Sequence, residues 1–350
     1  MRSGRQLKKV LFILVLLSIF LYTYDYLPIF ENQSSNEEQL DSTAIPESVN
    51  QDDDKNVLNA IGKSSEELMS VWGEPDRIDP SSYDYDWWIY KKDASHYMQV
   101  GISNNRVVTA FVIGPKVNMG PFVLGQTRQE TLKQLSATSE VSFSYDGNHY
   151  RFELTDDDQA VRPLVKYDDL FVQLYFDKFT DRLSSVRAVD APTLIKLRPY
   201  ELSYRGELLN PEPLSEDQWK DVEDGNAQQI LDITNVIRQT HRLNKLSWDQ
   251  NTADVAYGHS KDMSINNYFD HVSPTAGDLA KRLEKGEITY LTAGENIAAQ
   301  YQDGAAAVEG WLNSEGHRKA LLNKNFNKLG VGVYQKYYTQ NFVQTMPRQK

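Results

Sequence analysis

The sequence predicts an α+β protein in which a duplicated helix-plus-antiparallel-sheet domain precedes a second domain of mixed helices and strands. Between residues 57 and 197 a glycine, a capped helix start and a group of short β-rich segments occur twice. From residue 227 apolar side chains recur at helical spacing, and two short strands follow near the end. The length of 350 residues fits two domains plus additional segments.

The composition excludes several classes of function. Lys and Arg sum to 37 against 49 Asp and Glu, a net charge of −12, whereas a nucleic-acid binder needs a basic face to neutralise phosphates. We therefore expect no nucleic-acid partner. The chain has no cysteine, which excludes disulfides, thiolate nucleophiles and cysteine-based metal sites. Combined with an export segment, this composition fits a surface protein of a Gram-positive bacterium.

The first 24 residues have the pattern of a signal peptide or membrane anchor. Four Lys and Arg side chains precede an apolar run of 13 residues from Val10 to Tyr22. A membrane-spanning helix needs roughly 17 to 25 apolar residues, so length leaves cleavage and anchoring both open. The bulky residues that follow lack a small-residue cleavage site, which favours an anchor at 1–24. We expect the protein on the extracellular face of the cell membrane with this segment alone in contact with the bilayer, or secreted if the signal is cleaved.

The predicted stalk is 25–55, and from Glu31 to about Lys55 it is rich in polar and acidic side chains with almost no large apolar ones. Such a segment buries too little surface to order itself, so we expect a disordered stalk.

The predicted middle domain, 56–197, contains the duplication. Ser64 is followed three residues later by Glu67, and Thr127 by Glu130, and each pair forms a capping box at a helix start. The predicted strands are 87–90, 97–102 and 106–113 in the first copy, and 149–154, 170–176 and 184–189 in the second. Aromatic residues between 83 and 90 are more typical of a core face than of a sugar-stacking surface, although both remain open.

Prolines and acidic residues at 198–226 predict a linker, and the second domain follows at 227–346. Its chemistry-bearing side chains lie in three short polar motifs around His271, Glu295 and His317. Two imidazoles and a carboxylate are a donor set for a divalent metal that keeps an open position. The alternative is a structural network in which the histidines hydrogen-bond to Glu295 and to the backbone.

The second domain closely resembles the CAP superfamily, also called the SCP domain. The resemblance rests on ordered motifs that include Leu246-Ser247-Trp248-Asp249, Phe269-Asp270-His271-Val272, Gly294-Glu295-Asn296 and Gly316-His317-Arg318. The middle domain resembles the CAP-associated N-terminal domain of Bacillus-type membrane-anchored proteins, through Gly73-Glu74-Pro75 and Asp86-Trp87-Trp88-Ile89-Tyr90. The resemblance implies an α–β–α sandwich with a cleft lined by His and Glu.

The resemblance also implies roles for particular residues. His271 and His317 are the expected metal ligands, with zinc the expected metal, and Glu295 is the candidate general base. Glu315 lies one position beyond the place of the family's second glutamate and is a weaker candidate. Further cleft-wall residues are expected at His259, Asn296 and Ser314.

Two functions follow from this cleft. The first is a binding module at the bacterial cell envelope, whose ligand is a cell-wall component, a lipid or a peptide. The alternative is a metal-dependent hydrolase, a peptidase or wall-directed amidase or esterase, in which the metal activates water and Glu295 accepts a proton. The sequence leaves open whether the protein is an enzyme.

Overall fold

The computed structural model describes residues 55–133 and 135–346. The predicted anchor at 1–24 and all of the predicted stalk except Lys55 lie outside the described residues. In the part of the chain that is described, no helix is long and apolar enough to cross a bilayer.

Besides two 3-10 helices at Val57–Ala60 and Ala94–His96, the middle domain has four short α-helices and ten strands among the described residues. In chain order they are α1 (Ser65–Trp72), β1 (Arg77–Pro80), β2 (Asp86–Lys91), β3 (Tyr97–Ser103), β4 (Arg106–Val112), α2 (Arg128–Leu132), β5 (Glu140–Tyr145), β6 (Asn148–Glu153), α3 (Asp156–Val161), β7 (Leu164–Tyr167), β8 (Leu170–Asp177), β9 (Arg182–Val189), α4 (Ala191–Leu197) and β10 (Glu201–Arg205). Seven strands form one antiparallel sheet in the order β1-β2-β3-β4-β9-β8-β7.

The two copies of the repeat make the same local contacts. Gly62 donates its backbone N–H to the carbonyl of Val107 over 2.8 Å, and Gly125 donates to the carbonyl of Leu183 over 2.8 Å. Both glycines have a positive φ, near 87°, a backbone conformation that would be strained in a residue with a side chain. The capping boxes at Ser64 and Thr127 are both formed. The predicted duplication is therefore confirmed.

In both copies, an arginine at the first position of a central strand hydrogen-bonds to the glycine turn. Arg106, the first residue of β4, donates to the carbonyl of Gly62 over 2.8 Å. Arg182, the first residue of β9, donates to the carbonyl of Gly125 over 2.7 Å. Each copy thus connects its glycine turn to one strand of the shared sheet.

The strand β6, which the repeat pattern places in the second copy, belongs instead to a separate three-stranded sheet, β10-β6-β5. Strand β10 lies inside the predicted linker 198–226, and the next helix begins at Glu216, also inside it. The pattern hides both elements because β10 carries mainly exposed polar residues and the first turns of that helix bury almost nothing before Val222.

The aromatic residues of the first copy form core, as the strand pattern favours. Tyr83, Tyr85 and Trp87 are buried, and Trp87 is 1% exposed. They belong to one hydrophobic cluster that continues into the second domain through residues such as Ala305 and Val308. The aromatic cluster therefore helps to join the two domains.

The second domain contains five helices and four strands among the described residues. They are α5 (Glu216–Thr240), β11 (Ser247–Trp248), α6 (Gln250–Asn266), α7 (Leu279–Lys285), β12 (Thr292–Ala299), α8 (Gly304–Leu312), α9 (Glu315–Leu321), β13 (Lys328–Tyr334) and β14 (Tyr337–Gln344). The sheet order is β11-β13-β14-β12, with β11 parallel to β13 and the other pairs antiparallel.

Strand β13 shows why helices cover both faces of this sheet. Side chains alternate along a strand, and Leu329, Val331 and Val333 join the apolar cluster that includes residues of α5. Gly330 and Gly332 face the other way, where a Cβ on Gly332 would lie 1.8 Å from the backbone nitrogen of Tyr257 in α6. Glycine thus lets α6 lie directly on the strand, and the predicted sandwich is confirmed.

A buried ion pair joins the two domains. Arg187 of β9 donates to both carboxylate oxygens of Asp303 over 2.7 and 2.8 Å, and both side chains are buried. Asp303 also caps α8 by accepting the N–H of Ala306. Removing one partner of such a pair costs about 3–5 kcal/mol because the other charge stays buried.

Glu309 of α8 is buried at the same interface. Its carboxyl contacts the hydroxyl of Ser185 over 2.6 Å and that of Ser184 over 2.8 Å. Ser184 Oγ also lies 3.0 Å from the carbonyl of Tyr175, which can only accept. Both serine hydroxyls donate to the carboxyl of Glu309, and Ser184 shares its hydrogen with the carbonyl of Tyr175. Burial raises the pKa of Glu309 to about 7, although the hydrogen bonds from Ser185 and Ser184 oppose this shift.

We expect Gly332→Ala to destabilise the protein by at least about 2 kcal/mol, because the new methyl group overlaps backbone atoms of α6. The matched change is Gly258→Ala within α6, where a Cβ meets no atom within 4 Å. That change should stabilise the helix by about 0.5–1 kcal/mol. Urea unfolding of both variants measures the difference, and equal stability would contradict the close packing of β13 on α6.

We expect Glu309→Gln to flatten the pH dependence of unfolding between pH 5 and 8. Because the pKa of Glu309 is raised to about 7 in the folded state, the folded chain holds more protons than the unfolded chain between about pH 4.5 and 7. Wild-type stability should therefore fall as pH rises through this window, by roughly 2–3 kcal/mol for this group. Denaturant titrations at each pH provide the test, with exposed Glu315→Gln as the control. Parallel curves for wild type and Glu309→Gln would refute the assignment.

Candidate functional site

The candidate site lies at the edge strand of the second sheet. Glu295 and Asn296 are neighbours in β12, so their side chains leave opposite faces of the sheet. His271 lies in the loop between α6 and α7, and His317 lies in α9. The two imidazole rings approach each other with centroids 6.4 Å apart. The structure thus brings together the three residues that the polar motifs predict.

Glu295 is held by an arginine. Arg282 of α7 donates to both carboxylate oxygens, over 2.8 and 2.9 Å, and both side chains are almost fully buried. His271 Nδ1 lies 2.9 Å from Oε1 of the same carboxylate. Burial raises the pKa of Glu295, but the hydrogen bonds from His271 and Arg282 outweigh it and the pKa lies below its usual range. Glu295 is therefore ionised, with each of its oxygens accepting at least one hydrogen bond.

The same contacts orient His271. A carboxylate only accepts hydrogen bonds, so Nδ1 donates to Glu295, and Nε2 is the ring nitrogen without a hydrogen bond to the described residues. Arg282 also donates to the backbone carbonyl of His271 over 2.8 Å. The His271 side chain is about half exposed, at 53%. Arg282 and Glu295 together therefore present the Nε2 atom of His271 to solvent.

The loop that carries His271 is attached to α6 through Asp262. Ser273 donates to Oδ2 of Asp262 over 2.6 Å and Thr275 donates to Oδ1 over 3.1 Å. Burial tends to raise the pKa of Asp262, but its hydrogen bonds from Ser273, Tyr268, Thr275 and Asn266 lower it overall. This charged acceptor fixes the loop beside the site.

His317 is the second imidazole and is half-buried. Burial, followed by the nearby His271, lowers the pKa of His317 to about 4. The ring is therefore neutral near pH 7. A neutral imidazole has one nitrogen free to bind a metal or accept a hydrogen bond.

Two of the expected cleft-wall residues support the site from behind. Asn296 is buried and donates to the backbone carbonyl of His317 over 3.1 Å and to Gln340 over 3.2 Å. His259 of α6 is buried with Nε2 3.9 Å from the Glu295 carboxylate, beyond hydrogen-bonding distance. Burial lowers the pKa of His259 despite the opposing effect of Glu295. Asn296 therefore positions the backbone of His317, whereas neither ring nitrogen of buried His259 has a hydrogen-bond partner among the described residues.

The structure does not bring Glu315 to the site. Glu315 is the first residue of α9, and its exposed side chain pairs with Lys319 one turn later over 2.8 Å. Ser314 precedes the helix at its N-cap position, and its side chain makes no capping hydrogen bond. The position one residue beyond the family's second glutamate thus points to solvent.

Comparisons with known proteins agree with this geometry. A family model described as CAP-associated N-terminal matches residues 61–200, and a model described as Cysteine-rich secretory protein family matches residues 231–346. The chain is also 54% identical over 287 residues to "Uncharacterized membrane protein YlbC" of Bacillus subtilis, covering 82% of this chain and 83% of that protein. The chain belongs to the cysteine-rich secretory protein, or CAP, family.

Two solved structures extend the likeness over both domains. An extracellular protein containing an SCP domain from Bacillus anthracis is 50% identical, with a TM-score of 0.82 over 87% of this chain and 100% of that chain. A cysteine-rich secretory protein from Staphylococcus aureus is 27% identical, with a TM-score of 0.74 over 83% of this chain and 93% of that chain. The middle domain and the CAP domain thus occur together in these relatives.

Sequence reasoning missed Arg282. The residue lies in a short helix with Lys281 and Lys285 as neighbours, and composition does not distinguish it from them. Its spacing from Glu295 carries no signal, since the partner is on a different element. Only the burial of an arginine beside a buried glutamate identifies its role.

The donor set fits a metal ion only through the two imidazoles. The described residues contain no group of three or more His, Cys, Asp or Glu side chains arranged to hold an ion. Both oxygens of Glu295 are engaged by Arg282, and a carboxylate that orients a histidine is a frequent second layer around metal sites. The remaining donors are Nε2 of His271 and the neutral ring of His317.

We expect His317 to titrate with a pKa of about 4, because the folded protein buries the ring beside His271. Since unfolded histidine titrates near 6.5, the unfolded chain binds more protons between these values. Stability from this group is complete above about pH 6.5 and is lost as pH falls to about 4, by roughly 2 kcal/mol. NMR titration of the ring resonances measures the pKa, and His317→Asn should remove this part of the acid dependence. A pKa near 6.5 would contradict the buried, neutral ring.

Proposed function

We propose that this CAP protein is a binding module at the extracellular face of the bacterial cell membrane, anchored by its N-terminal segment. The names of its relatives support this location, since one is named a membrane protein and another an extracellular protein containing an SCP domain. Its ligand binds in the cleft beside His271 and His317, and a divalent metal takes part in that binding.

The observation that carries the proposal is the engagement of Glu295. Both carboxylate oxygens accept hydrogen bonds from Arg282, and one also accepts from His271. A general base needs a free oxygen within reach of the proton it takes, and a pKa near the working pH. The lowered pKa of Glu295 makes it a weak base as well. The geometry therefore favours ligand binding over metal-dependent hydrolysis.

The surroundings of His271 favour a ligand with an apolar part. Phe269 and Val272, which flank the histidine in the loop, are each more than half exposed. Exposed large apolar side chains near a polar site are typical of ligand grooves. We infer a lipid or a peptide of the cell wall, whose polar end lies beside the two imidazoles.

Zinc fits this site as a loosely held ion. Structural zinc sites use four protein ligands and catalytic sites three, whereas this chain offers two imidazoles. When bound, the ion supplies a Lewis-acid contact for a carboxylate or phosphate oxygen of the ligand. Arg282 and Glu295 hold His271 in orientation, and neutral His317 offers its lone pair without first losing a proton.

We expect zinc to bind the wild-type protein in the micromolar range and His271→Ala or His317→Ala to weaken binding by about tenfold or more, since each removes one of two donors. Isothermal titration gives the affinities. His149→Ala provides a matched control, because His149 is exposed on β6 and bonds to Ser144 away from the site. Equal affinity in all four proteins would eliminate the two proposed ligands.

A variant that removes both buried charges distinguishes the binding module from the hydrolase. Arg282→Met combined with Glu295→Gln leaves an acceptor for His271 and no unpaired charge, and such replacements of a buried pair are often tolerated. Saturable binding of purified cell wall that survives in this variant, without release of wall fragments by the wild type, supports the module. Wild-type turnover of wall peptides that is lost in the variant and on chelation would establish the hydrolase instead.

A further inference from the structure

A second cavity lies between the middle domain and the CAP domain. Its volume is about 510 Å³, within the usual size of small-molecule sites. Residues of α3, β8 and α8 line it together with the segment that follows β12. It shares no residue with the His271–His317 site. Ala299 is the residue of β12 that lines the cavity, and it lies four residues, or roughly 13 Å, along the strand from Glu295.

Cations without acidic partners line this cavity. Lys178 and Arg198 form no ion pair with any carboxylate of the described residues, and Arg198 donates instead to the carbonyls of Ile195 and Leu209. Arg162 also lines the cavity, and its charge is balanced by Asp158 over 2.7 Å. The positive charges at Lys178 and Arg198 are therefore available to an incoming anion.

Two acids face these cations. Asp157 is exposed at the first turn of α3 and forms no ion pair in the described part of the chain. Glu309 lies at the α8 wall, where it accepts hydrogen bonds from Ser184 and Ser185 and where burial raises its pKa to about 7. Below this pH, two unpaired cations against one exposed carboxylate leave a net positive charge in the cavity.

The remaining lining suits a hydroxylated molecule. Tyr301 lines the cavity, and its hydroxyl makes no hydrogen bond to the described residues. The hydroxyl lies against Gly310, where a Cβ would come within 2.2 Å of it, so glycine makes room for the ring. Gln300 and Gln302 add amide groups. Tyrosine rings and amides beside a cation are the side chains that bind the faces and hydroxyls of sugars.

We propose that this interdomain cavity binds a small hydroxylated anion, with Lys178 and Arg198 contacting the negative group and Tyr301 contacting a hydroxyl. The negative group is a carboxylate on a sugar or a phosphate on a polyol, since both have the same charge and acceptor oxygens. The site is independent of the cleft at His271 and His317.

The test uses four probes on the purified full-length protein. D-Glucuronic acid and glycerol 3-phosphate present the two anions, and glucose and glycerol are their neutral counterparts. NMR shift perturbation reports saturation and location. We expect at least one anion to bind about tenfold or more tightly than its neutral counterpart, because the cations contribute only to the charged ligand. Preference for one anion identifies the carboxylate or the phosphate source.

Variants locate the binding. Lys178→Gln and Tyr301→Phe should each weaken anion binding about threefold or more. Lys178→Gln removes one long contact, between Nζ and the Phe179 ring at 5.6 Å, and keeps the backbone hydrogen bond to Asn313. Lys166→Gln, on exposed Lys166 of β7, is the matched control and should leave affinity unchanged. His317→Ala should also leave it unchanged, which separates this site from the proposed function. Absence of saturation by both anions, or equal binding by Lys178→Gln and wild type, would overturn the proposal.

Discussion

The buried bridge between Arg282 and Glu295 determines what the candidate site can do. Two opposite charges out of water are stable only when they remain paired and hydrogen-bonded, so α7 and β12 are held at a fixed separation. Arg282 also contacts the backbone of His271, which fixes the loop before α7. Both oxygens of Glu295 accept hydrogen bonds in this arrangement, which lowers its pKa and makes it a weak base. This is the physical basis on which we propose a binding role for the two imidazoles.

Much of the site was predictable because its residues lie in ordered motifs. His271, Glu295 and His317 are close in space as the motif order implies. Arg282 was not predictable, because a charged helix residue reads as solvent-exposed unless its partner is known to be buried. Glu315 is the first residue of α9, and at this position its side chain faces solvent and pairs with Lys319. A shift of one residue along a helix changes the direction of a side chain, so the motif alone does not fix where Glu315 points. Sequence motifs show which residue types are present, whereas tertiary packing determines which of those side chains are buried.

In the fold, too, local features were predictable from the sequence and long-range contacts were not. The repeated glycines and capping boxes predicted the duplication because they are local, and most strands followed from apolar alternation. The merger of both copies into one sheet, and the departure of β6 to another, depend on pairings between distant segments. The interface residues Arg187 and Glu309 also read as surface charges in the sequence. They are buried because the second domain covers the sheet.

The pairing of β4 with β9 gives the middle domain a local twofold symmetry. Counting from the equivalent arginines at 106 and 182, Phe111 and Arg187 occupy the same place in the two copies, and in the sheet they lie directly opposite each other. Ala110 opposite Ala188 and Val112 opposite Val186 complete a local twofold axis through that pair. This is the geometry of an isologous interface, here formed within one polypeptide. Because one chain carries both copies, the two positions on the axis can hold different side chains, and Arg187 but not Phe111 pairs with Asp303.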